Sequence, residues 1–163
     1  MVEREADGRE PLVRCINFGL DGMQSFSFTL EEERSAVLVP AGQVGTYLYE
    51  PNASVLKAGA FKQIAVRTGV KKLQVNSHLY TADHLVSDFP GRRFRVDEVL
   101  SFTGKLCKGL SKTIPQANIT VRNFPLSVEE LRKRTKITDG GHVYLFATTL
   151  VDGEKVLVKC SKA

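Results

Sequence analysis

Ser54-Val55-Leu56-Lys57 is the stretch of this chain that comes nearest to covalent chemistry, with a hydroxyl and an amine one helical turn apart. Acyl-transfer enzymes that use this spacing carry companion motifs, and none is present. Asn52 just before it is a good helix N-cap, so the Ser54 hydroxyl is expected to serve the helix end. His78, Asp83, His84 and Asp88 are metal-ligand types, but a six-residue spacing does not put two histidines on one helical face. They read better as loop residues. His142 follows Gly140-Gly141 at a strand start and has no evident partner. Gly42-Gln43-Val44-Gly45 has the Gly-x-x-Gly form that clamps RNA where it joins two helices. Here it follows a strand and leads into Tyr47, so a plain turn is expected. With no nucleophile–base pair and no metal set in view, neither a catalytic residue nor a bound metal is expected.

A different chemistry is written in the charges. Residues 1–35 hold four Arg against eight Asp and Glu, whereas residues 91–163 hold fourteen basic residues against seven acidic ones. Between Glu98 and Glu129 there is no acid at all, yet Lys105, Lys108, Lys112 and Arg122 lie there. On a helix, the three lysines share one face at i, i+3 and i+7, with Leu106 and Leu110 marking the buried face. Lysines without a nearby acid suit a phosphate backbone. Arg132, Lys133, Arg134 and Lys136 are equally basic, but Glu129 and Glu130 stand four residues before Lys133 and Arg134. Helix pairing and the helix dipole account for much of that pattern. Arg92, Arg93 and Arg95 extend the basic character toward the middle of the chain.

The elements that must position these side chains read as an α+β fold with mixed sheets and helices on one face. Residues 11–19 and 24–30 alternate around Leu20-Asp21-Gly22 and predict a hairpin. Residues 31–34 predict a solvated turn, 36–39 a short strand, and 53–67 one helix ended by Gly69. A short strand is expected over 73–80. The Ser87-Asp88-Phe89-Pro90-Gly91 turn, where the charge also shifts, marks a boundary between units 1–92 and 93–163. The second unit reads as strand 94–102, helix 104–113, strand 117–123, helix 127–136, and strands 142–151 and 155–160. Ser127 with Glu130 forms a capping box, and Asp152-Gly153 turns the last hairpin. Tyr47 and Tyr49 fall on one side of a strand and are expected to pack on the helix after Asn52, or to offer a docking or stacking surface.

Three widely spaced cysteines indicate neither a disulfide framework nor a zinc knuckle. No apolar run reaches the roughly 18 residues of a membrane span, and residues 2–14 are too acidic and polar for a signal peptide. A reducing cytoplasm is the expected location, with no membrane partner.

Residues 46–61 read Thr-Tyr-Leu-Tyr-Glu-Pro-Asn-Ala-Ser-Val-Leu-Lys-Ala-Gly-Ala-Phe. This block resembles the Tyr-Leu-Tyr-Glu-Pro signature in the C-terminal region of a family of bacterial class I S-adenosylmethionine-dependent RNA methyltransferases. That region is described as a ferredoxin-like domain followed by a THUMP-like domain. The likeness runs over about residues 35–163 and is carried by Tyr47, Tyr49, Glu50, Pro51 and Lys57. Gly104 and Gly109 depart from it, where a firmer helix is expected. The strings of a class I catalytic domain are absent. The resemblance therefore implies a non-catalytic, RNA-binding accessory region (transfer or ribosomal RNA), with S-adenosylmethionine bound by an N-terminal methyltransferase domain that this chain does not contain. The rival expectation is a structural module that docks on that domain or dimerises.

Overall fold

The computed structural model describes residues 2–5, 10–19 and 22–163. Its elements run β1 (Val2–Glu5), β2 (Leu12–Gly19), β3 (Gly22–Thr29), α1 (Leu30–Ser35), β4 (Tyr47–Pro51), α2 (Ala53–Ala58), α3 (Phe61–Thr68), β5 (Lys71–Lys72), β6 (Tyr80–Ala82), β7 (Gly91–Ser101), α4 (Gly104–Thr113), β8 (Asn118–Arg122), α5 (Val128–Thr135), β9 (Tyr144–Thr149) and β10 (Lys155–Lys162). The class is the expected one, mixed α and β. The strands form a three-stranded sheet, β1-β2-β3, and a seven-stranded sheet, β5-β6-β4-β7-β10-β9-β8. Among the described strands only β8 and β9 pair in parallel, because α5 carries the chain back across the sheet between them. Among the described residues no helix is long and apolar enough to cross a membrane.

The second half follows its local signals closely. Ser127 and Glu130 close a full capping box on α5, and Gly153 turns the last hairpin with a positive φ. The first half departs from expectation at four places. Residues 30–35 are a helix rather than a turn, because Thr29 and Glu32 make a reciprocal capping box. Residues 36–39 form no strand; a lone bridge from Pro40 to Lys72 is all that pairs there. The expected helix over 53–67 is two helices, broken where Gly59 turns left-handed. Residues 73–79, expected as a strand, form none; the short strands Lys71–Lys72 and Tyr80–Ala82 flank them. The hairpin forms as expected, but Leu20 and Asp21 of its turn lie outside the described residues.

The register puts Tyr47, Arg95, Ser161 and Leu157 on one face of the large sheet. All five helices and the small sheet belong to that side. Near β4 and β6, Tyr49 and Tyr80 pack with Val13, Phe28, Val55 and Ile64. Near β8–β10, Leu145, Ala147 and Leu157 pack with Leu110 of α4 and Leu131 of α5. The opposite face buries Leu48, Phe94, Phe146 and Val158 beneath loop residues Ala41, Val44, Leu73 and Leu79. Burying a side chain of this size contributes roughly 1.5–3 kcal/mol. The Phe94 and Phe146 rings meet edge to face at 4.9 Å, worth about 1 kcal/mol more.

One sheet runs through the boundary expected near residue 92. β7 pairs with β4 on one side and with β10 on the other. At its first residue, Gly91, the chains approach so closely that a Cβ would run into the Glu50 carbonyl oxygen.

Candidate nucleic-acid interface

Thr103 starts α4 by accepting a hydrogen bond from Leu106 N–H at 3.0 Å. The helix holds through Gly104 and Gly109 because Cys107 and Leu110 are buried on the core side. Lys105, Lys108 and Lys112 are exposed on the opposite side, as their spacing requires. Among the described residues none of the three is ion-paired. Beside this stripe, a groove of about 470 Å³ runs between α4 and the end of β7, lined by Ser101, Thr103, Lys105, Gly109 and Thr113. A Cβ on Gly109 would meet nothing within 4 Å. Its missing side chain therefore widens the groove rather than easing packing. Sequence reasoning marked this glycine as a helix defect and missed the groove, although the small and hydroxyl side chains along one helical face were its signal.

α5 packs against α4. Leu131 and Thr135 face the core, and Lys133 and Arg134 are exposed. The expected pairs of Glu129 with Lys133 and Glu130 with Arg134 do not form; Glu130 instead accepts from Ser127 N–H at 3.2 Å. Arg134 lies close enough to α4 to oppose the rise that burial imposes on the Cys107 thiol pKa. The basic end of α5 thus joins the neighbourhood of the lysine stripe. Arg132 is turned to another task. It donates to the carbonyls of Ala117 (3.1 Å) and Ile137 (3.3 Å) and pairs with Asp139 at 2.9 Å. Lys136, exposed, closes the helix in the left-handed region at φ 63°. Arg122 is half-buried and pairs with Glu50 at 3.3 Å, while its Nε is buried without a partner.

The signature residues have internal partners. Leu48 enters the loop-covered core and Tyr49 the helix-covered one. The Tyr49 hydroxyl donates to His84 O at 2.9 Å and accepts from Val86 N–H at 2.8 Å, and its ring lies 4.8 Å from that of Phe89. Burial raises its pKa. Glu50 takes Arg92 on Oε1 at 2.7 Å and Arg122 on Oε2. Pro51 is buried opposite Gly91. Tyr47 is half-buried beside the same core as Tyr49, and Lys57 is exposed on α2.

The groups weighed for catalysis do not converge. Asn52 makes no cap bond; its amide donates to Gln24 instead at 2.8 Å. The Ser54 hydroxyl is buried and has no partner, so it serves neither Lys57 nor the helix end. His78 stacks on Phe61 at 4.1 Å, and its pKa is lowered by burial and by Lys72 and Arg122 nearby. No group of three metal-ligand side chains comes together among the described residues.

Residues 47–90 match the ferredoxin-like domain family, and residues 91–162 match the THUMP domain-like family. The chain is 48% identical to that in the crystal structure of a "putative methyltransferase from Porphyromonas gingivalis W83", with a TM-score of 0.88 over 92% of this chain. It spans 37% of the length of that neighbour. No curated protein matches it.

Proposed function

Because the chain carries a ferredoxin-like domain followed by a THUMP-like domain and resembles part of a longer methyltransferase chain, we propose that it is the RNA-binding accessory region of an RNA methyltransferase. One observation carries this reading: Lys105, Lys108 and Lys112 stand exposed on one face of α4, Lys105 lines an open groove beside it, and none of the three is ion-paired among the described residues. Lysines in that setting bind phosphates and position an RNA without reading its sequence. Lys133, Arg134 and Lys136 extend the contact, whereas Arg122 and Arg132 support it from within the fold. The methyl donor, S-adenosylmethionine, belongs to a catalytic domain outside this chain. A class I cofactor site needs a Gly-rich loop between a first strand and a helix and an acid after the second strand, and no described pair of elements supplies both. The residues here do not fit that cofactor, and this chain's share of the reaction is to hold the RNA in the cytoplasm while another domain acts.

The test is fluorescence anisotropy with transfer RNA and ribosomal RNA fragments across a salt series. Log affinity is expected to fall linearly with log salt. The Lys105/Lys108/Lys112→Glu variant should lose binding, or reduce the slope by about 2–3. Absence of binding at low salt would overturn the reading.

A second reading, a docking module for the catalytic domain, is favoured by the β2–β3 hairpin. Phe18 and Met23 are cross-strand partners near its turn, and both are exposed, at 69% and 62%. Replacing both by Ser should leave RNA binding unchanged and weaken association with the catalytic domain; unchanged association would sink this reading.

A further inference from the structure

A cavity of about 650 Å³ opens at the β5–β6 edge of the large sheet, between the 41–45 turn and residues 82–84 after β6. None of its lining residues belongs to the interface on α4 and α5. Its wall is largely main chain, from Ala41, Gly42, Gly45 and Gly69. Gly45 donates to Thr81 Oγ1 at 2.8 Å, and the Asp83 Oδ1 atom accepts from Thr46 N–H at 3.1 Å and from the Thr46 hydroxyl at 3.3 Å. These bonds hold the turn so tightly that a Cβ on Gly45 would come within 2.6 Å of Asp83 Oδ1.

The same bonds leave specific groups unused. Three successive amides, on Gly42, Gln43 and Val44, have no acceptor among the described residues. Gly42 and Gln43 line the cavity, so their amides can donate to an anion there. Lys71, exposed on the adjoining edge strand, has no acidic partner there. Among the described residues nothing donates to Asp83 Oδ2, and the His84 imidazole is exposed on the cavity wall. The cavity thus presents donors and a positive charge, a solvent-facing carboxylate oxygen, and a flat ring. An inorganic anion would leave Asp83 facing like charge, and a metal cation would leave Lys71 facing like charge. A ligand with a phosphate, a hydroxyl and a planar base satisfies all of them, and the volume falls within the range of small-molecule sites.

We propose that this cavity binds a ribonucleotide. The phosphate sits on the Gly42 and Gln43 amides and Lys71, the ribose 2′-hydroxyl donates to Asp83 Oδ2, and the base lies against His84. The nucleotide is either free or one unit of an RNA strand, and the chemistry recognised is the same.

The experiment is a ¹H–¹⁵N titration of the 163-residue chain with 5′-AMP, 5′-dAMP, inorganic phosphate and a short single-stranded RNA. 5′-AMP should shift the Gly42 and Gln43 amides. Lys71→Met should weaken this about tenfold, as loss of a charge-assisted hydrogen bond does. Asp83→Asn keeps an acceptor for Thr46 and should abolish the preference for 5′-AMP over 5′-dAMP. No shift at those amides with any nucleotide would overturn the proposal, as would inorganic phosphate binding as tightly as 5′-AMP. Matching shifts with RNA assign the site to a strand, and shifts with 5′-AMP alone assign it to a free nucleotide; either supports it. If the lysine-stripe variant loses RNA while the 5′-AMP shifts persist, the two sites are independent. 5′-AMP shifts in a protein that binds no RNA would sink the RNA reading and leave this one standing.

Discussion

Glu50 and Arg122 are ion-paired at 3.3 Å although three strands lie between theirs in the sheet. The pair exists because the sheet rolls around its loop-covered face. Ser77 of the loop before β6 helps close that roll, donating to Thr149 O at 2.7 Å while Asn123 donates to its hydroxyl at 3.0 Å. Glu50→Gln should cost about 1–2 kcal/mol, less than a fully buried pair would because both arginines reach solvent. A double-mutant cycle with Arg122→Gln should give a coupling near 1 kcal/mol in urea unfolding. Additive effects would mean that the pair does not hold the roll.

Gly91 should tolerate no side chain. Ala there meets the Glu50 carbonyl oxygen, and backbone cannot yield as a flexible side chain does. Gly91→Ala is expected to cost about 2–4 kcal/mol or to prevent folding. A melting temperature within about 2 °C of the parent would contradict the close approach.

Lys72 should make stability rise with pH. It is 1% exposed, donates to Val75 O at 2.6 Å and lies 4.8 Å from the Phe61 ring, and burial holds its pKa down to about 8. Between pH 8 and about 10.4 the unfolded lysine binds a proton that the folded one has lost, so stability increases through that window. The gain is on the order of 2–3 kcal/mol and is lost again as pH falls through 8. Cys15, Cys107 and Cys160 act in the opposite sense, because burial raises their pKa values and their unfolded thiols ionise in the same range. Lys72→Met is therefore to be compared with the parent by urea unfolding at pH 7, 9 and 10. The parent should gain stability relative to Lys72→Met from pH 7 to pH 10, and a constant difference would rule the linkage out.

Arg132 and Lys133 should separate structure from binding. Arg132→Ala removes bonds to two carbonyls and to Asp139, and is expected to cost about 1–2 kcal/mol. Lys133→Ala, on an exposed position, should change stability by less than about 0.5 kcal/mol while weakening RNA binding. Thermal melts beside the anisotropy titration would read both, and equal destabilisation would refute the division.

The legible parts of this chain were those fixed by neighbours in sequence. The capping box of α5, the helical spacing of Lys105, Lys108 and Lys112, and the alternation of Leu48 with Tyr49 all come from within a few residues. α1 was legible too, since Thr29 and Glu32 have the capping spacing, but three consecutive glutamates read more readily as a solvated turn. Gly59 ends α2 by turning left-handed, which its composition allows but does not require. What could not be read is what the rolled sheet brings together: Glu50 with Arg122, Ser77 with Asn123, and the 41–45 turn with Lys71 and Asp83. Those meetings depend on register and curl, to which no short stretch of sequence is sensitive.

β7 opens the THUMP-like match at Gly91, yet it pairs with β4, the strand that opens the ferredoxin-like match. Severing the chain there would leave two raw strand edges, each a template for mispairing. The two matched domains share one sheet, and neither is expected to be exchanged without the other. A graft into another chain would have to carry them together, and unfolding one should drag the other with it in a single cooperative step.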